Sequence, residues 1–274
     1  MDPHSGEVLA LTGGRGEKKQ SKTLNRASNV LRQPGSTFKV ISSFAPAIDL
    51  YGATLASTYY DSEYTVGKKT FKNWYSGGYL GFQSIRDGIV YSLNIVAVRC
   101  LMETVKPERG YQYAESLGIT SLVKDDENAA LALGGLPRGV SNLELTQAYG
   151  GIANGGKLQK AKFFSKIIDQ NGKVLIDTTE DEATQVMKES TAYLLTDAMR
   201  ESMESKRAFA SDVRVSSTST RAHFDGMSQA GKSGTTSNNR DIWFVGFTPY
   251  YLAGVWGGCD ENQVLKDAGS GEYN

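Results

Sequence analysis

Lys232-Ser233-Gly234-Thr235-Thr236, followed by the apolar run Ile242-Trp243-Phe244-Val245-Gly246-Phe247, is the stretch on which the reading of this chain turns. In extended backbone Lys232, Gly234 and Thr236 share one face, and Ser233 and Thr235 the other. Gly234 carries no side chain, so a substrate backbone can lie against the strand edge. A substrate carboxylate can then meet the hydroxyls of Ser233 and Thr235 and the charge of Lys232. Alone, the pattern also fits an exposed edge strand guarded by a lysine. Two further motifs change its weight. Ser36-Thr37-Phe38-Lys39 follows the turn Gln33-Pro34-Gly35, and Ser92-Leu93-Asn94 lies in the first half. Ser-x-x-Lys, Ser-x-Asn and Lys-(Ser/Thr)-Gly in that order form an acyl-serine constellation.

Each of the first two motifs is weak in isolation. Ser-x-x-Lys recurs at Ser121/Lys124, and Ser-x-Asn at Ser237/Asn239. Context separates them. Ser36 opens an apolar helix-like run, and residues i and i+3 share a helix face, so Lys39 is expected to point back toward Ser36. Phe38, Val40, Ile41 and Phe44 make that helix apolar, which predicts a partly buried Lys39. Burial lowers a lysine pKa, and a neutral Lys39 can take the Ser36 proton. The helix N-terminus offers N–H groups where an oxyanion would form. Ser121 precedes a charged stretch and reads as surface. Ser92 sits between two apolar segments, where its hydroxyl can enter a cleft, and Asn94 can offer an amide to a substrate amide. A helix cap is the competing reading for both residues. Ser237-Asn238-Asn239 reads as a turn.

The surrounding pattern predicts an α+β chain, an antiparallel sheet with a helical insertion. Strands are expected over 6–14, 227–235, 241–247 and 251–256. Helices are expected from 36 to about 50, over 109–117, over 143–153 and over 190–204, with Leu195, Met199 and Met203 in the core. Residues 85–105 read as helix–loop–helix around Ser92-Leu93-Asn94. Residues 51–82, rich in Gly, Ser, Thr and Tyr, read as loop with short strands. Asn171-Gly172 between the alternating runs 163–169 and 173–177 marks a hairpin.

Bulk properties exclude some classes. The chain has 274 residues with 39% hydrophobic and 22% charged residues, so a soluble globular domain is the default. Net charge is zero, which gives no argument for nucleic acid or an anionic membrane surface. The stretch 15–22 reads as a solvated loop. Two histidines, His4 and His223, give no metal site and no supported Ser-His-Asp triad. No metal and no cofactor are expected. Cys100 and Cys259 form no Cys-x-x-Cys pattern; Cys100 reads as a buried free thiol, and a bridge to Cys259 stays open. There is no apolar run of about 18 residues and no signal peptide.

The three motifs and their flanks together resemble the transpeptidase domain of class A (bifunctional) penicillin-binding proteins. The stretches that carry the resemblance are Asp2-Pro3-His4-Ser5-Gly6-Glu7-Val8-Leu9-Ala10-Leu11-Thr12-Gly13-Gly14, Leu31-Arg32-Gln33-Pro34-Gly35 running into Ser36-Thr37-Phe38-Lys39, Gln147-Ala148-Tyr149-Gly150-Gly151-Ile152-Ala153-Asn154-Gly155-Gly156, Ala230-Gly231 running into Lys232-Ser233-Gly234-Thr235-Thr236, and Asp241-Ile242-Trp243-Phe244-Val245-Gly246-Phe247-Thr248-Pro249. The resemblance covers nearly the whole chain. It implies a penicillin-binding-protein/β-lactamase-like fold: a central antiparallel sheet, flanking helices and a helical subdomain. It implies one transpeptidase domain over 1–274 with a helical insertion at approximately 45–160. It also implies DD-transpeptidation of peptidoglycan, with D-Ala-D-Ala stem peptides as donors and stem-peptide amines as acceptors. Ser36 would be the nucleophile and Lys39 its base. Ser92 would relay a proton, tuned by Lys232, and Asn94 would hold the substrate amide. Ser233 and Thr235, with Gly234 and Thr236 alongside, would bind the terminal carboxylate, and the N–H groups of Ser36 and Thr235 would form the oxyanion hole. β-Lactam antibiotics would acylate Ser36. The implied setting is the extracytoplasmic face of the bacterial cell membrane, among cell-wall synthesis or division proteins. The expected glycosyltransferase domain and membrane anchor would lie outside this soluble stretch.

Two departures stand out. Ser233 replaces a commoner threonine, and the polar sequence after Asp260 lacks the apolar helix usual in the family. Three other readings compete. A serine β-lactamase needs a carboxylate to activate its deacylating water, and no fixed motif supplies one here. A β-lactam-sensing domain predicts acylation without turnover. An inactive scaffold conflicts with an intact Ser36, Lys39, Ser92 and Lys232.

Overall fold

The computed structural model describes residues 1–17, 19–179, 182–210 and 213–265. Lys18 of the polar stretch 15–22, and residues 266–274 of the polar C-terminal end, lie outside them.

In chain order the elements begin with the short helix α1 (Arg26–Asn29), capped by the Asn25 side chain. A 3-10 turn over Gly35–Thr37, a π-turn over Val40–Phe44 and helix α2 (Ala45–Tyr51) then form one helical run. Next come β1 (Thr58–Asp61), β2 (Tyr64–Val66), β3 (Lys69–Phe71), β4 (Gly81–Ser84) and helices α3 (Ile85–Val90), α4 (Asn94–Arg99) and α5 (Pro107–Ser116). Helix α6 (Asn142–Ala153), strands β5 (Lys157–Leu158), β6 (Lys166–Ile168), β7 (Val174–Asp177) and β8 (Thr184–Gln185), and helix α7 (Glu189–Ser202) follow. The chain closes with β9 (Arg207–Ala210), β10 (Val213–Ser216), β11 (Ala230–Thr235), β12 (Asp241–Phe247) and β13 (Leu252–Gly258).

Local chemistry explains the boundaries that matter to the site. Ser84 and Asp87 form a reciprocal capping box that starts α3, and Ser141 and Glu144 do the same for α6. Such caps are worth about 1 kcal/mol each. Helix α4 has no such device. Its N-cap is Leu93, whose side chain offers no acceptor.

The main sheet is antiparallel in the order β11-β12-β13, with Ser233 opposite Phe244 and Trp243 opposite Trp256. Helix α7 packs behind β11, where Ser202 Oγ donates to the Gly231 carbonyl at 3.0 Å. Helix α6 packs on β13, where Asn142 Nδ2 donates to the Gly254 carbonyl at 2.9 Å. The run from Gly35 to Tyr51 passes through the centre of the core. Phe38, Val40, Ile41, Phe44, Ala45 and Ala47 in it are fully buried. Each large apolar side chain of this kind contributes about 1.5–3 kcal/mol on burial. Leu195 and Met199 of α7 close the same core, and Met203 beyond it is buried.

The α+β architecture and the elements expected around the motifs are present. The N-terminal expectation is corrected. Residues 6–14 do not form a strand. One bridge joins Glu7 to Lys162, held by Val8 N–H to the Lys162 carbonyl and Lys162 N–H to the Gly6 carbonyl, both at 2.9 Å. Beyond it, residues 8–15 face β13 across an open groove of about 1510 Å³. Alternation in sequence selects a face; it does not supply a partner edge. The β6–β7 hairpin forms, but both its faces are exposed. Cys100 is buried and Cys259 partly so, and both are free. Among the described residues no helix is long and apolar enough to cross a membrane.

Candidate active site

Ser36 sits in the 3-10 turn that opens the buried helical run. Its place is set by backbone packing. Gly35 adopts φ +55°, and a Cβ there would lie 2.7 Å from the Thr235 carbonyl oxygen. A Cβ on Gly234 would lie 2.6 Å from the Pro34 carbonyl oxygen and 2.8 Å from Thr37 Cγ2. Glycine at both positions lets the turn and strand β11 touch main chain to main chain. Gly134, at the end of the 3-10 turn Ala129–Leu133, closes on Gly35 from another side; a Cβ there would lie 2.4 Å from the Gly35 carbonyl oxygen. Two long-range bonds lock the turn further. Trp243 Nε1 donates to the Gln33 carbonyl at 2.8 Å, and the buried Tyr149 hydroxyl donates to the Thr37 carbonyl at 2.7 Å.

Lys39 lies one turn along and is fully buried. Its nitrogen donates to the Ser92 carbonyl at 2.5 Å, to Asn94 Oδ1 at 2.7 Å and to Ser92 Oγ at 3.2 Å. No described hydrogen bond joins it to Ser36. The lysine thus spans from the first motif to the second, bonding both Ser92 and Asn94. Ser36 Oγ, half-buried, has no hydrogen-bond partner among the described residues.

Lys232 on β11 is also fully buried. It donates to Ser92 Oγ at 3.0 Å and to the Ser233 carbonyl at 3.0 Å. Ser92 Oγ thus lies between two lysine nitrogens. Burial holds Lys39 well below the usual lysine range, and the charge of Lys232 adds to the effect. Burial alone brings Lys232 down to about 7. Burial thus shifts both amines toward the neutral form, the form that can accept a proton.

Ser92 links α3 to α4 in a left-handed backbone conformation, φ 55°. Such a conformation costs a non-glycine residue of order 1 kcal/mol or more and persists only where the surroundings impose it. Asn94 opens α4, and its Nδ2 donates to the Lys72 carbonyl at 2.8 Å.

Strand β11 divides its residues as alternation predicts. Lys232 and Gly234 are buried, Ser233 is half-buried and Thr235 is exposed. Thr236 N–H bonds the Asp241 carbonyl at 3.0 Å. In an antiparallel ladder such bonds alternate, so the Thr235 N–H faces the free edge of β11, beside Gly35 and Ser36. Ser233 N–H faces the same edge and donates to Ser219 Oγ at 3.3 Å. Thr236 is different. It is buried, and its hydroxyl donates to Asp241 Oδ2 at 3.1 Å and accepts from Asp241 N–H at 2.9 Å. Thr236 stands behind the site as a strut, so the substrate-binding role expected of it is corrected.

Four candidates, Lys39, Ser92, Asn94 and Lys232, are therefore joined by direct hydrogen bonds, and Ser36 sits on the turn packed against β11. Gly234, Ser233 and Thr235 lie along that strand. The second Ser-x-x-Lys pair separates, as its charged context suggests for Lys124, which is exposed and paired with Glu127 at 2.7 Å. Its partner Ser121 is not surface: it is buried and donates to the Gly139 carbonyl at 2.9 Å. Among the described residues no group of His, Cys, Asp or Glu side chains could hold a metal ion. Sequence reasoning missed Asn73, Tyr149 and Trp243. For Asn73 one signal was present: helix α4 begins after leucine, so its first N–H groups need an acceptor from elsewhere.

Comparison with known proteins accords with this geometry. The family profile described as "Penicillin binding protein transpeptidase domain" matches residues 1–256. The chain is 34% identical to penicillin-binding protein 1A of Clostridium botulinum (strain Langeland), covering 97% of this chain and 32% of that protein. It is 32% identical to penicillin-binding protein 4 of Bacillus subtilis (strain 168), covering 93% and 38%. The chain thus spans about a third of the length of these curated relatives. Among solved structures it is similar to the PonA1 protein from Mycobacterium tuberculosis in complex with penicillin V, with a TM-score of 0.79 and 26% identity over 97% of this chain and 69% of that one. With its motifs, fold and matched residues in agreement, the chain belongs to the penicillin-binding-protein transpeptidase domain family.

Proposed function

We propose that this chain is a serine-type DD-transpeptidase that cross-links peptidoglycan stem peptides. The observation that carries the reading is Ser92 Oγ lying 3.2 Å from Lys39 Nζ and 3.0 Å from Lys232 Nζ, beside a nucleophile turn packed on β11.

In the first step Ser36 Oγ attacks the carbonyl carbon of the D-Ala-D-Ala amide and its proton passes to neutral Lys39. The new charge on the carbonyl oxygen meets the N–H groups of Ser36 and Thr235. The C–N bond then breaks; the departing amine takes a proton from Ser92, which is reprotonated by the Lys39 that received the Ser36 proton, with Lys232 hydrogen-bonded to the same oxygen. Free D-Ala leaves, and an acyl ester remains on Ser36. In the second step a stem-peptide amine attacks that ester. Its proton returns along the same groups, the ester C–O bond breaks, and Ser36 Oγ is reprotonated. Asn94 would hold the donor amide. Ser233 and Thr235, with Lys232 behind them, would hold the terminal carboxylate, and Gly234 would let the donor lie close to β11.

A β-lactam presents a strained amide and a carboxylate to the same groups, so it would acylate Ser36 and stay. The similarity to PonA1, solved with penicillin V, supports this expectation. The reading places the domain on the extracytoplasmic face of the bacterial cell membrane, within a longer protein.

The test is intact mass after incubation with penicillin, for wild type and Ser36→Ala. One stable adduct in wild type, absent in Ser36→Ala, is expected. Rapid loss of the adduct with consumption of the drug would instead indicate a β-lactamase. A folded wild type that never forms the adduct would overturn the acyl-serine reading.

A further inference from the structure

The left-handed backbone of Ser92 raises the question of what holds it. The answer lies in three consecutive residues after β3. The Lys72 carbonyl accepts from Asn94 Nδ2 at 2.8 Å. Asn73 Oδ1 accepts from the N–H groups of Asn94 at 2.9 Å and Ile95 at 3.2 Å. Trp74 Nε1 donates to the Tyr91 carbonyl at 3.0 Å. These contacts grip the segment carrying Ser92 on both sides.

Asn73 is the centre of the grip, because it is itself held. Its Nδ2 donates to Asp61 Oδ1 at 2.7 Å and to the Tyr75 hydroxyl at 2.9 Å. Asp61 is almost fully buried and also accepts from the Tyr75 hydroxyl at 2.8 Å and the Leu80 N–H at 2.9 Å. A continuous chain therefore runs from Asp61 through Asn73 to the start of α4, and from Asn94 Oδ1 to Lys39 Nζ at 2.7 Å.

We propose that Asn73, anchored by Asp61, is a positioning residue for the acyl-transfer reaction, fixing Ser92 and Asn94 against Lys39 and Lys232. Its amide is suited to the place because it must accept toward α4 and donate toward Asp61 at once. Alanine provides neither. Aspartate provides the acceptor but sets a second carboxylate against a buried one. The proposal rests on the acyl-serine reading above; penicillin labelling of the wild-type chain tests that reading separately.

The experiment is penicillin acylation of the full chain, resolved by stopped flow into the dissociation constant K and the acylation rate k2. Four forms are compared: wild type, Asn73→Ala, Asn73→Asp and the exchanged pair Asp61→Asn/Asn73→Asp. In the exchanged pair the aspartate accepts from α4 and the asparagine donates to it, so the connection is restored with its polarity reversed. For the two single variants k2 falls between tenfold and about 10²-fold, the range for a small misplacement of reacting groups. The exchanged pair recovers to within about threefold of wild type. Circular dichroism establishes that each form is folded. A purely structural cap predicts lowered melting temperatures with k2 unchanged in the folded protein. That result overturns the proposal, as does a folded exchanged pair that remains as slow as Asn73→Asp. If the single variants do not fold, the exchanged pair alone decides: wild-type k2 supports the proposal, and a slow k2 overturns it.

Discussion

Lys232 reaches across from strand β11 to donate to Ser92 Oγ at 3.0 Å, although the two residues are 140 positions apart. Lys39 donates to the same oxygen at 3.2 Å. One hydroxyl therefore serves two fully buried amines. Proton traffic in the proposed reaction depends on Ser92.

Ser92→Ala removes that carrier while leaving Ser36 and the strand edge intact. The penicillin acylation rate k2 is expected to fall by about 10²–10⁴, the usual weight of a positioned acid–base group. The dissociation constant K should change little. Stopped-flow acylation separates the two, and an unchanged k2 would remove Ser92 from the proton path.

Lys232 makes stability depend on pH in a definite direction. Its pKa is about 7 in the folded chain against 10.5 when unfolded. Between those values the unfolded state binds the extra proton, so folding stability rises with pH at roughly 1.4 kcal/mol per unit. Below pH 7 both states are protonated and the full penalty is present. Lys232→Met lacks this slope. Urea midpoints should show the variant more stable than wild type at pH 7, with the gap narrowing toward pH 10. Parallel curves would contradict the assignment. The same variant should acylate poorly, so the stabilisation comes at the expense of the reaction.

Gly234→Ala tests the contact between the turn and strand β11. The new methyl group would meet the Pro34 carbonyl at 2.6 Å, so the turn or the strand must shift. A cost of about 1–3 kcal/mol is expected. The acylation rate should fall with it, because Ser36 moves relative to the Thr235 N–H. Thermal melts and labelling rates together check this. A variant with wild-type values in both would show that the junction yields freely.

Tyr149→Phe deletes one buried hydroxyl and leaves the Thr37 carbonyl without its 2.7 Å partner. The expected loss is about 1–3 kcal/mol. In a chain of this size that is roughly 2–4 °C of melting temperature per kcal/mol. Differential scanning calorimetry measures it directly.

Much of this site was legible in the residues. Ser36 after Pro34-Gly35, and Lys232-Ser233-Gly234-Thr235 before an apolar strand, are local patterns, and local patterns survive folding. What was not legible depends on partners distant in sequence. Nothing near Lys39 says that its nitrogen will go to Ser92 and Asn94. Nothing near Thr236 says that Asp241 will claim its hydroxyl. The alternation in residues 6–14 looked like a strand because a strand's faces are written in its own sequence, while its neighbour is not. The N–H groups at the start of α4 were orphaned on paper, and only the fold reveals Asn73 as their acceptor.

The junction of Gly35, Gly134 and Thr235 has a further consequence. Where the nucleophile's turn meets Gly134 and Thr235, main chain touches main chain. At these contacts the reactive serine is located by bond lengths and peptide planes, which relax less readily than rotamers. Core residues further along the helical run can exchange volume without carrying Ser36 off its mark. On heating, this junction should hold Ser36 in place until the strand or the turn itself gives way.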